Sequence, residues 1–129
     1  MAPVLKLGEL PTVVGSGDQL RQVMSNLVVN ARDSMAEGGT LTIRTRHIPS
    51  ADGVHGKVRI AIADSGSGIP KEVLPTIFEP FVSTKGEKGT GLGLWIVKGI
   101  VESHGGRLRV RSTPGRGTIF LVDFPVVRT

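Results

Sequence analysis

The sequence Gly-Thr-Gly-Leu-Gly-Leu at residues 89–94 leads directly into an apolar repeat, and it says more about the fold than any other stretch. Residues 95–101, which follow the three alternating glycines, space their apolar side chains as a helix does. Glycines ahead of a helix leave backbone N–H groups uncovered at its positive end, where a phosphate chain can bind. The stretch therefore predicts a helix with a phosphate site at its N-terminus.

Glycine clusters also occur where a helix start only needs a turn or close packing, so this signal alone is weak. The two common phosphate-binding motifs are missing from the sequence. No Gly-x-x-x-x-Gly-Lys-Ser/Thr run exists, and no Gly-x-Gly-x-x-Gly opens a helix after a strand. The predicted phosphate site therefore belongs to some other architecture.

Size and composition indicate one soluble globular domain spanning residues 1–129, with 39% hydrophobic and 21% charged residues. No apolar run approaches the roughly 20 residues that cross a bilayer. The absence of cysteine excludes disulfides, thiol catalysis and cysteine-ligated metal, and the three histidines lack the spacing of a zinc site. These features agree with a cytoplasmic setting.

A net charge of +5 raises the question of nucleic-acid binding. Arg107, Arg109 and Arg111 alternate with Leu108 and Val110, which is the pattern of a strand with one solvated face. With 4% aromatic residues and no tyrosine, the chain offers few platforms on which bases stack. We expect no nucleic-acid partner and no direct membrane contact.

The order of predicted elements is that of an α+β fold. Strands are predicted at residues 4–7, 12–14, 40–47, 57–63, 107–112 and 118–124. One long helix is predicted at 16–35 and another after the segment 83–90, ending at 104, with a short helical piece at 71–77. Ser16 and Gln19 form a capping box at the start of the first helix, and Gly38 and Gly39 end it. We expect a two-layer α/β sandwich, with helices on one face of a mixed, mostly antiparallel sheet.

Three polar residues, Asn26, Asn30 and Asp33, follow each other at i, i+4 and i+7 along the edge of the apolar face of the first helix. Helix interiors disfavour Asn and Asp, so three such residues aligned on one helix require a structural or functional explanation. One interpretation is a satisfied polar border of the core. The other is a Mg²⁺ site shared with substrate phosphates, since hard cations take oxygen ligands, and Asn30 is then the candidate ligand.

Asp64 continues the apolar face of the strand formed by Val58, Ile60 and Ile62. A carboxylate in that position is costly unless a donor reaches it. Residues 65–70 (SGSGIP) supply flexible backbone that could close over a flat ligand, whose exocyclic amine would suit the carboxylate. Alternatively, Asp64 only bonds its own backbone in an Asx turn.

Phe78 and Phe81 precede a segment of low hydrophobicity, and we expect them to anchor its base, which is compatible with core packing. Lys85 and Lys88 lie between this anchor and the glycine run. They could bring positive charge to a triphosphate from a mobile lid, or they could be solvated loop lysines.

Five stretches resemble, in order, the conserved boxes of one family: residues 22–35 (QVMSNLVVNARDSM), 64–70 (DSGSGIP), 77–81 (IFEPF), 89–94 (GTGLGL) and 115–118 (GRGT). That family is the catalytic and ATP-binding domain of bacterial sensor histidine kinases, in the superfamily shared with DNA gyrase and heat-shock chaperones. The resemblance spans nearly the whole chain. It implies the Bergerat-type ATP-binding fold and an ATP-dependent protein-histidine kinase of two-component signal transduction.

The resemblance implies that Asn30 binds Mg²⁺, that Asp64 accepts from the adenine amino group of ATP or ADP, and that Thr118 supports that contact. The glycine run would hold phosphates under a flexible ATP lid at about residues 82–90. The implied nucleotide-binding residues are Asn26, Asn30, Asp33, Asp64, Gly66, Gly68, Ile69, Phe81, Lys85, Lys88, Gly89, Thr90, Gly91, Leu92, Gly93, Leu94 and Thr118. No residue is assigned as catalytic.

Asn26 bears on the type of reaction. In the gyrase-like relatives the position four before the Mg²⁺-binding Asn is a glutamate that activates water, and an amide cannot take that proton. The sequence also departs from many kinases of the family, which carry a cation and an aromatic where this chain has Asp33 and Ser34. Arg32 could supply the displaced charge.

The phosphoacceptor motif of these kinases is absent, because none of His47, His55 and His104 is followed by an acidic residue on a dimerising helix. We therefore expect a monomeric fragment that cannot autophosphorylate. It would act on the dimerisation and histidine-phosphotransfer domain of its kinase, which could itself be membrane-anchored, and indirectly on a response regulator. Two alternatives remain: a degenerate nucleotide-binding or partner-docking domain, and a gyrase-type ATPase, which Asn26 disfavours.

Overall fold

A computed structural model describes residues 2–6 as backbone, and residues 17–51, 56–81 and 92–126 in full. The elements in chain order are β1 (Ala2–Lys6), α1 (Gly17–Ser34), β2 (Thr40–Pro49), β3 (Gly56–Asp64), a 3₁₀ turn (Leu74–Thr76), α2 (Gly93–Ser103), β4 (Arg107–Thr113) and β5 (Gly117–Pro125). The strand predicted at 12–14 and the capping residue Ser16 lie outside the described residues.

The five strands form one sheet in the order β1-β2-β3-β5-β4. β1 pairs with β2 in parallel, and the other three pairings are antiparallel. The hairpin predicted from residues 40–47 and 57–63 is therefore confirmed as β2 and β3, and the last two strands pair as β4 and β5. The predicted mixed, mostly antiparallel sheet is correct.

Both helices pack on one face of this sheet. Their apolar residues recur at helical spacing and meet the alternate, inward-facing residues of the strands. The most deeply buried side chains come from both layers: Val23, Leu27, Val97, Val101, Ile62, Phe120 and Val122. The predicted two-layer α/β sandwich is thus confirmed, and its core lies between the helices and the sheet.

The short helical piece predicted around residues 71–77 is confirmed, but it is a 3₁₀ helix that covers only Leu74–Thr76. The chain makes turns that end in a single 3₁₀ turn, with the N–H of Val73 donating to Pro70 at 3.0 Å and that of Thr76 donating to Val73 at 2.9 Å. Pro75 lacks an N–H group and its ring would clash with the carbonyl of residue 71 in an α-helix. Apolar spacing alone did not reveal this break.

The sheet face opposite the helices carries a buried carboxylate, Asp123, which is 4% exposed. Arg59 donates to it twice, from Nε at 2.8 Å and from Nη2 at 3.0 Å, while Lys57 and Arg109 lie at 3.4 and 3.5 Å. Burial raises the pKa of Asp123, but the hydrogen bonds and charges of Arg59 and Lys57 outweigh it and hold the pKa below its usual value. Arg109, expected on a fully solvated face, instead turns toward this carboxylate.

Replacing Asp123 with Asn tests this network. Because the folded-state pKa of Asp123 is lowered, its contribution is present above the unfolded pKa of about 3.9 and is lost as pH falls through the lower folded value. We expect Asp123→Asn to lower the free energy of unfolding by about 1.5–3 kcal/mol at pH 7, and by progressively less below pH ~4. Urea denaturation of both proteins across this range measures the difference.

Asp18→Asn is the matched control, because Asp18 pairs with Arg21 at 2.7 Å with both side chains largely exposed. Such a surface pair contributes little, so this variant should remain close to the wild type at every pH. A pH-independent difference for the Asp123 variant would contradict the assignment.

Candidate functional site

Asp64 ends β3 and is 8% exposed, on the face of the sheet that the helices cover. Its Oδ1 accepts from the backbone N–H of Gly66 at 2.9 Å and lies 3.1 Å from the hydroxyl of Ser34. The contact with Gly66 is the Asx turn that the sequence offered as one alternative. The contact with Ser34 comes from the end of α1. Oδ2 accepts no hydrogen bond from the described residues. The carboxylate is thus held in one orientation with one oxygen uncommitted.

Ser34, the last residue of α1, is the contact that the sequence analysis did not anticipate. Its hydroxyl lies 3.1 Å from Asp64 Oδ1 and 3.1 Å from the carbonyl oxygen of Ala31, so its single proton is shared by two acceptors. Ser34 therefore places a hydroxyl donor against the buried carboxylate.

The loop at residues 65–70 is hydrogen-bonded to its neighbours at three points. The N–H of Ser67 donates to the Ser34 carbonyl at 3.2 Å, and the Ser67 carbonyl accepts from Gly115 at 2.7 Å. The N–H of Ile69, a buried core residue, donates to the hydroxyl of Ser112 at 2.7 Å. The loop is thus linked to the end of α1 and to the β4–β5 hairpin, and its closure over a flat ligand stays a prediction.

Thr118 lies beside Asp64, because the two residues are paired in the register of β3 and β5. Thr118 is buried, and its hydroxyl lies 3.0 Å from that of Ser112. Ser112 also lies 3.2 Å from the Gly117 carbonyl. The structure therefore brings Asp64 and Thr118 together, as the sequence predicted, and adds Ser112 as a partner that the sequence did not single out.

Two glycines of the loop are explained by close contacts. A Cβ on Gly66 would collide with the carbonyl and the hydroxyl of Ser34, which are backbone and side chain of the end of α1. Gly68 has φ +75°, and a Cβ there would meet the carbonyl of Thr113. Both glycines let the loop approach its neighbours closely, and this fixes the position of Asp64.

The polar residues of α1 have different surroundings. Asn26 is half-buried and donates from Nδ2 to the carbonyl of Gly93 at 3.3 Å, which links α1 to the first residue of α2. Asn30 is also half-buried, and its side chain makes no hydrogen bond with other described residues. Asp33 is more exposed and lies 3.6 Å from Arg32. The satisfied-border interpretation therefore fits Asn26, while Asn30 keeps an available amide.

The N-terminus of α2 is formed by Leu92, Gly93 and Leu94. Gly93 is the first helical residue, Leu92 occupies the capping position, and no side chain caps this end. The N–H groups of the first turn are thus not satisfied by a capping side chain, as the sequence predicted for this helix. Gly89, Thr90, Gly91, Lys85, Lys88 and the proposed lid at 82–90 lie outside the described residues.

The two phenylalanines before that segment differ. Phe78 packs edge-to-face on Phe120, with ring centroids 6.4 Å apart, and so anchors the chain in the core. Phe81 is 77% exposed and has φ +67°, which is rare for a bulky side chain. The predicted anchoring role is therefore right for Phe78 and wrong for Phe81.

A cavity of about 550 Å³ lies between the chain at residues 78–80 and the outer face of α2. Phe78, Pro80, Trp95 and Gly99 are among its lining residues, and Trp95 is largely exposed. Asp64 does not line it, so this cavity is distinct from the polar cluster at the end of β3.

His104 follows α2 and is a structural residue, as expected. Its ring lies edge-on to Phe124 with centroids 6.1 Å apart, and Nδ1 is 2.8 Å from the Ile100 carbonyl. Across the described residues, no three His, Asp or Glu side chains converge as a metal site. No helix in the described part of the chain is both long and apolar enough to span a membrane.

The family of histidine kinase-, DNA gyrase B-, and HSP90-like ATPases matches residues 15–128. The chain belongs to this ATPase family. Sensor kinase CckA of Brucella abortus is 47% identical over 117 residues, which cover 83% of this chain and 12% of that protein. Sporulation kinase A of Bacillus subtilis is 46% identical over 111 residues, covering 86% and 17%. The predicted relationship to sensor histidine kinases is confirmed.

Solved structures of histidine kinases have the same fold as this chain. A mycobacterial sensor histidine kinase, MprB, superposes with a TM-score of 0.82 at 30% identity, covering 96% of this chain and 80% of that one. The nucleotide-free catalytic domain of histidine kinase ThkA gives 0.80 at 32% identity, covering 96% and 79%. The chain is thus a histidine-kinase catalytic domain in sequence and fold, and it spans less than a fifth of the length of CckA and sporulation kinase A.

Gly66→Ala tests whether close packing against Ser34 sets the geometry of the loop. The added Cβ would force the end of α1 and the loop apart, so we expect a loss of about 1–3 kcal/mol in the free energy of unfolding. Gly99→Ala is the control, because nothing lies within 4 Å of its Cβ and a helix interior favours Ala by up to ~1 kcal/mol. Equal stability of the two variants in urea denaturation would refute the packing argument.

Proposed function

We propose that this catalytic domain binds Mg²⁺-ATP, recognises adenine through Asp64, and presents the γ-phosphate to a histidine on a separate domain. The observation that carries the proposal is the buried carboxylate of Asp64. Ser34 and Gly66 hold one of its oxygens, and the other accepts nothing from the described residues. A buried acceptor of this kind needs a donor, and the exocyclic amine of adenine is one.

Thr118 supports the same end of the site. It is the strand partner of Asp64, and its hydroxyl is already linked to Ser112. This hydrogen bond fixes the Thr118 hydroxyl beside the carboxylate, where it is in place to assist the adenine contact. Asp64 and Thr118, the pair proposed to recognise adenine, thus both lie on the sheet, and Ser112 of β4 hydrogen-bonds to Thr118.

Asn30 fits the proposed Mg²⁺ site by the chemistry of its side chain. Its amide oxygen is a hard ligand, and no hydrogen bond to other described residues engages it. A site with one protein oxygen suits Mg²⁺, which keeps several waters and shares phosphate oxygens. When bound, the ion would supply positive charge to the phosphates.

The phosphates are proposed to lie toward the N-terminus of α2. The N–H groups of its first turn are not capped by a side chain, and the helix dipole favours negative charge at this end. Gly93 and Leu94 belong to this turn. The earlier glycines and Lys85 and Lys88 remain predictions from the sequence.

The proposed reaction is transfer to a protein rather than to water. Asn26 occupies the position of the water-activating glutamate, and its Nδ2 is engaged with the Gly93 carbonyl. An amide does not accept a proton from water, so hydrolysis lacks its base. Phosphoryl transfer depends mainly on positioning and charge stabilisation, which leaves deprotonation of the nucleophile to the acceptor domain.

The acceptor domain is proposed to dock beside α2. Trp95 and Phe81 are the most exposed aromatic side chains among the described residues, and Trp95 lines the cavity next to this helix. Exposed aromatic side chains around a concavity are typical of protein contacts. The same helix would then carry the phosphate site at its N-terminus and the docking surface on its outer face.

Isothermal titration with ATP, with and without Mg²⁺, tests nucleotide binding. Asp64→Asn should weaken binding by about tenfold or more, because its amide would place a donor against the adenine amine. Asp18→Asn is the control, since Asp18 is exposed and far along α1 from Ser34. Undiminished uptake by the Asp64 variant, with its fold verified by circular dichroism, would sink the assignment.

Phosphate release from ATP tests the type of reaction. We expect the wild type to hydrolyse ATP very slowly, and Asn26→Glu to release phosphate faster than Asn26→Gln, which is similar in size but has no base. Both variants change the contact with Gly93, so their comparison isolates the carboxylate. Rapid hydrolysis by the wild type would instead favour a gyrase-type ATPase.

A further inference from the structure

The sheet face opposite the helices, called here the open face, is strongly basic. Side chains that share this face through the strand register are Arg44 and Arg46 on β2, Lys57 and Arg59 on β3, and Arg107, Arg109 and Arg111 on β4. Asp123 is the carboxylate of this face within the described strands β2 to β5. The face therefore carries seven cationic groups against a single acidic one among those strands.

Asp123 neutralises only part of this charge. It contacts Arg59 and Lys57 on β3 and Arg109 on β4. Four arginines, Arg44, Arg46, Arg107 and Arg111, are exposed and form no ion pair with described residues. These four line the two outer strands of the antiparallel part of the sheet.

Between Arg44 on β2 and Arg109 and Arg111 on β4 lies a short apolar strip. The register aligns Ala61 with Leu121, and Ala63 with Ile119, on the two central strands β3 and β5. Ile119 is 39% exposed and the other three are half-buried, although no described element covers them. The strip would gain from burial against an apolar surface.

The dimensions of this arrangement match a helix. Neighbouring strands lie about 4.8 Å apart, so β2 and β4 are separated by about 14 Å across the two central strands. An α-helix with its side chains is about 10–12 Å wide. One helix can therefore lie along β3 and β5, with Arg44 and Arg46 on one flank and Arg107 and Arg111 on the other. Its contact covers the apolar strip and continues over Arg59 and Asp123, which are in register with Arg46 and Arg107.

We propose that the open face docks an acidic amphipathic helix of a partner protein, with its apolar stripe on the central strip and its carboxylates against the arginines. Charge complementarity selects this occupant. A second copy of the chain, with its net charge of +5, would bring like charges together. A nucleic acid would leave the apolar strip unmatched and would find no aromatic side chain on these four strands of the open face.

The test uses a helical peptide of about 20 residues with a Leu/Ala stripe flanked by two rows of Glu, and a matched peptide with Lys in place of Glu. Binding is followed by NMR chemical shifts of the full chain. We expect the Glu peptide to perturb the open face, with an affinity that falls as salt rises, and the Lys peptide not to bind.

Two double variants locate the contact. Arg44→Glu/Arg46→Glu and Arg107→Glu/Arg111→Glu should each weaken binding of the Glu peptide by about tenfold or more. Arg21→Glu/Lys71→Glu changes the net charge equally but lies on exposed positions outside the open face, and it should bind like the wild type. Nucleotide titration of the same variants verifies that the helix-covered side is intact, and its outcome is independent because Asp64 lies on the opposite face.

Three results would overturn the proposal. One is absence of binding by the Glu peptide to the wild type, and another is equal weakening by the control variant. The third is tighter binding of a short DNA duplex or of phosphatidylserine vesicles, lost in the same two double variants, which would assign the face to a polyanion other than a protein.

Discussion

The fold of the site depends on one buried charge, the carboxylate of Asp64. A carboxylate at 8% exposure is costly unless donors reach it, and here they come from the end of α1 through Ser34 and from the next loop through Gly66. Further backbone bonds connect these elements to one another. Ser34 accepts from Ser67, and Ser67 accepts from Gly115 in the β4–β5 turn. One charge thereby fixes a helix end, a loop and a turn relative to the sheet.

The two faces of the sheet differ because the helices cover only one of them. Alternation places Phe120 and Val122 toward the helices, with Asp123 between Val122 and Phe124 facing the other way. Asp123 nevertheless becomes buried, because Arg59 and its neighbouring cations close over it. Asp64 and Asp123 are therefore buried carboxylates of different kinds. Asp123 has several cations around it, whereas Asp64 has neutral donors and one oxygen that accepts nothing from the described part of the chain.

Sequence periodicity predicted the sheet, the helices and their order because burial is one-sided in both kinds of element. It failed where the decisive partner is distant in sequence: Ser34 and Asp64 are 30 residues apart, and Ser112 reaches Ile69 from 43 residues away. Asp123 was not singled out because its cations come from β3 and β4, which only the strand register brings together. The local sequence pattern therefore identifies Asp64 as a buried acceptor, but only the tertiary structure shows which groups donate hydrogen bonds to it.

The proposed site has two parts, one on the sheet and one on the helices. Asp64 and Thr118 are held by the sheet, whereas Asn30 and the N-terminus of α2 belong to the helix layer. Asn26 joins the two helices through its bond to Gly93, so the proposed metal ligand and phosphate site are linked to each other within the helix layer. If adenine is held by the sheet and phosphate by the helices, a partner that shifts α2 changes the position of the γ-phosphate without disturbing recognition of the base. Contact at the outer face of α2 would then control transfer rather than affinity for the nucleotide.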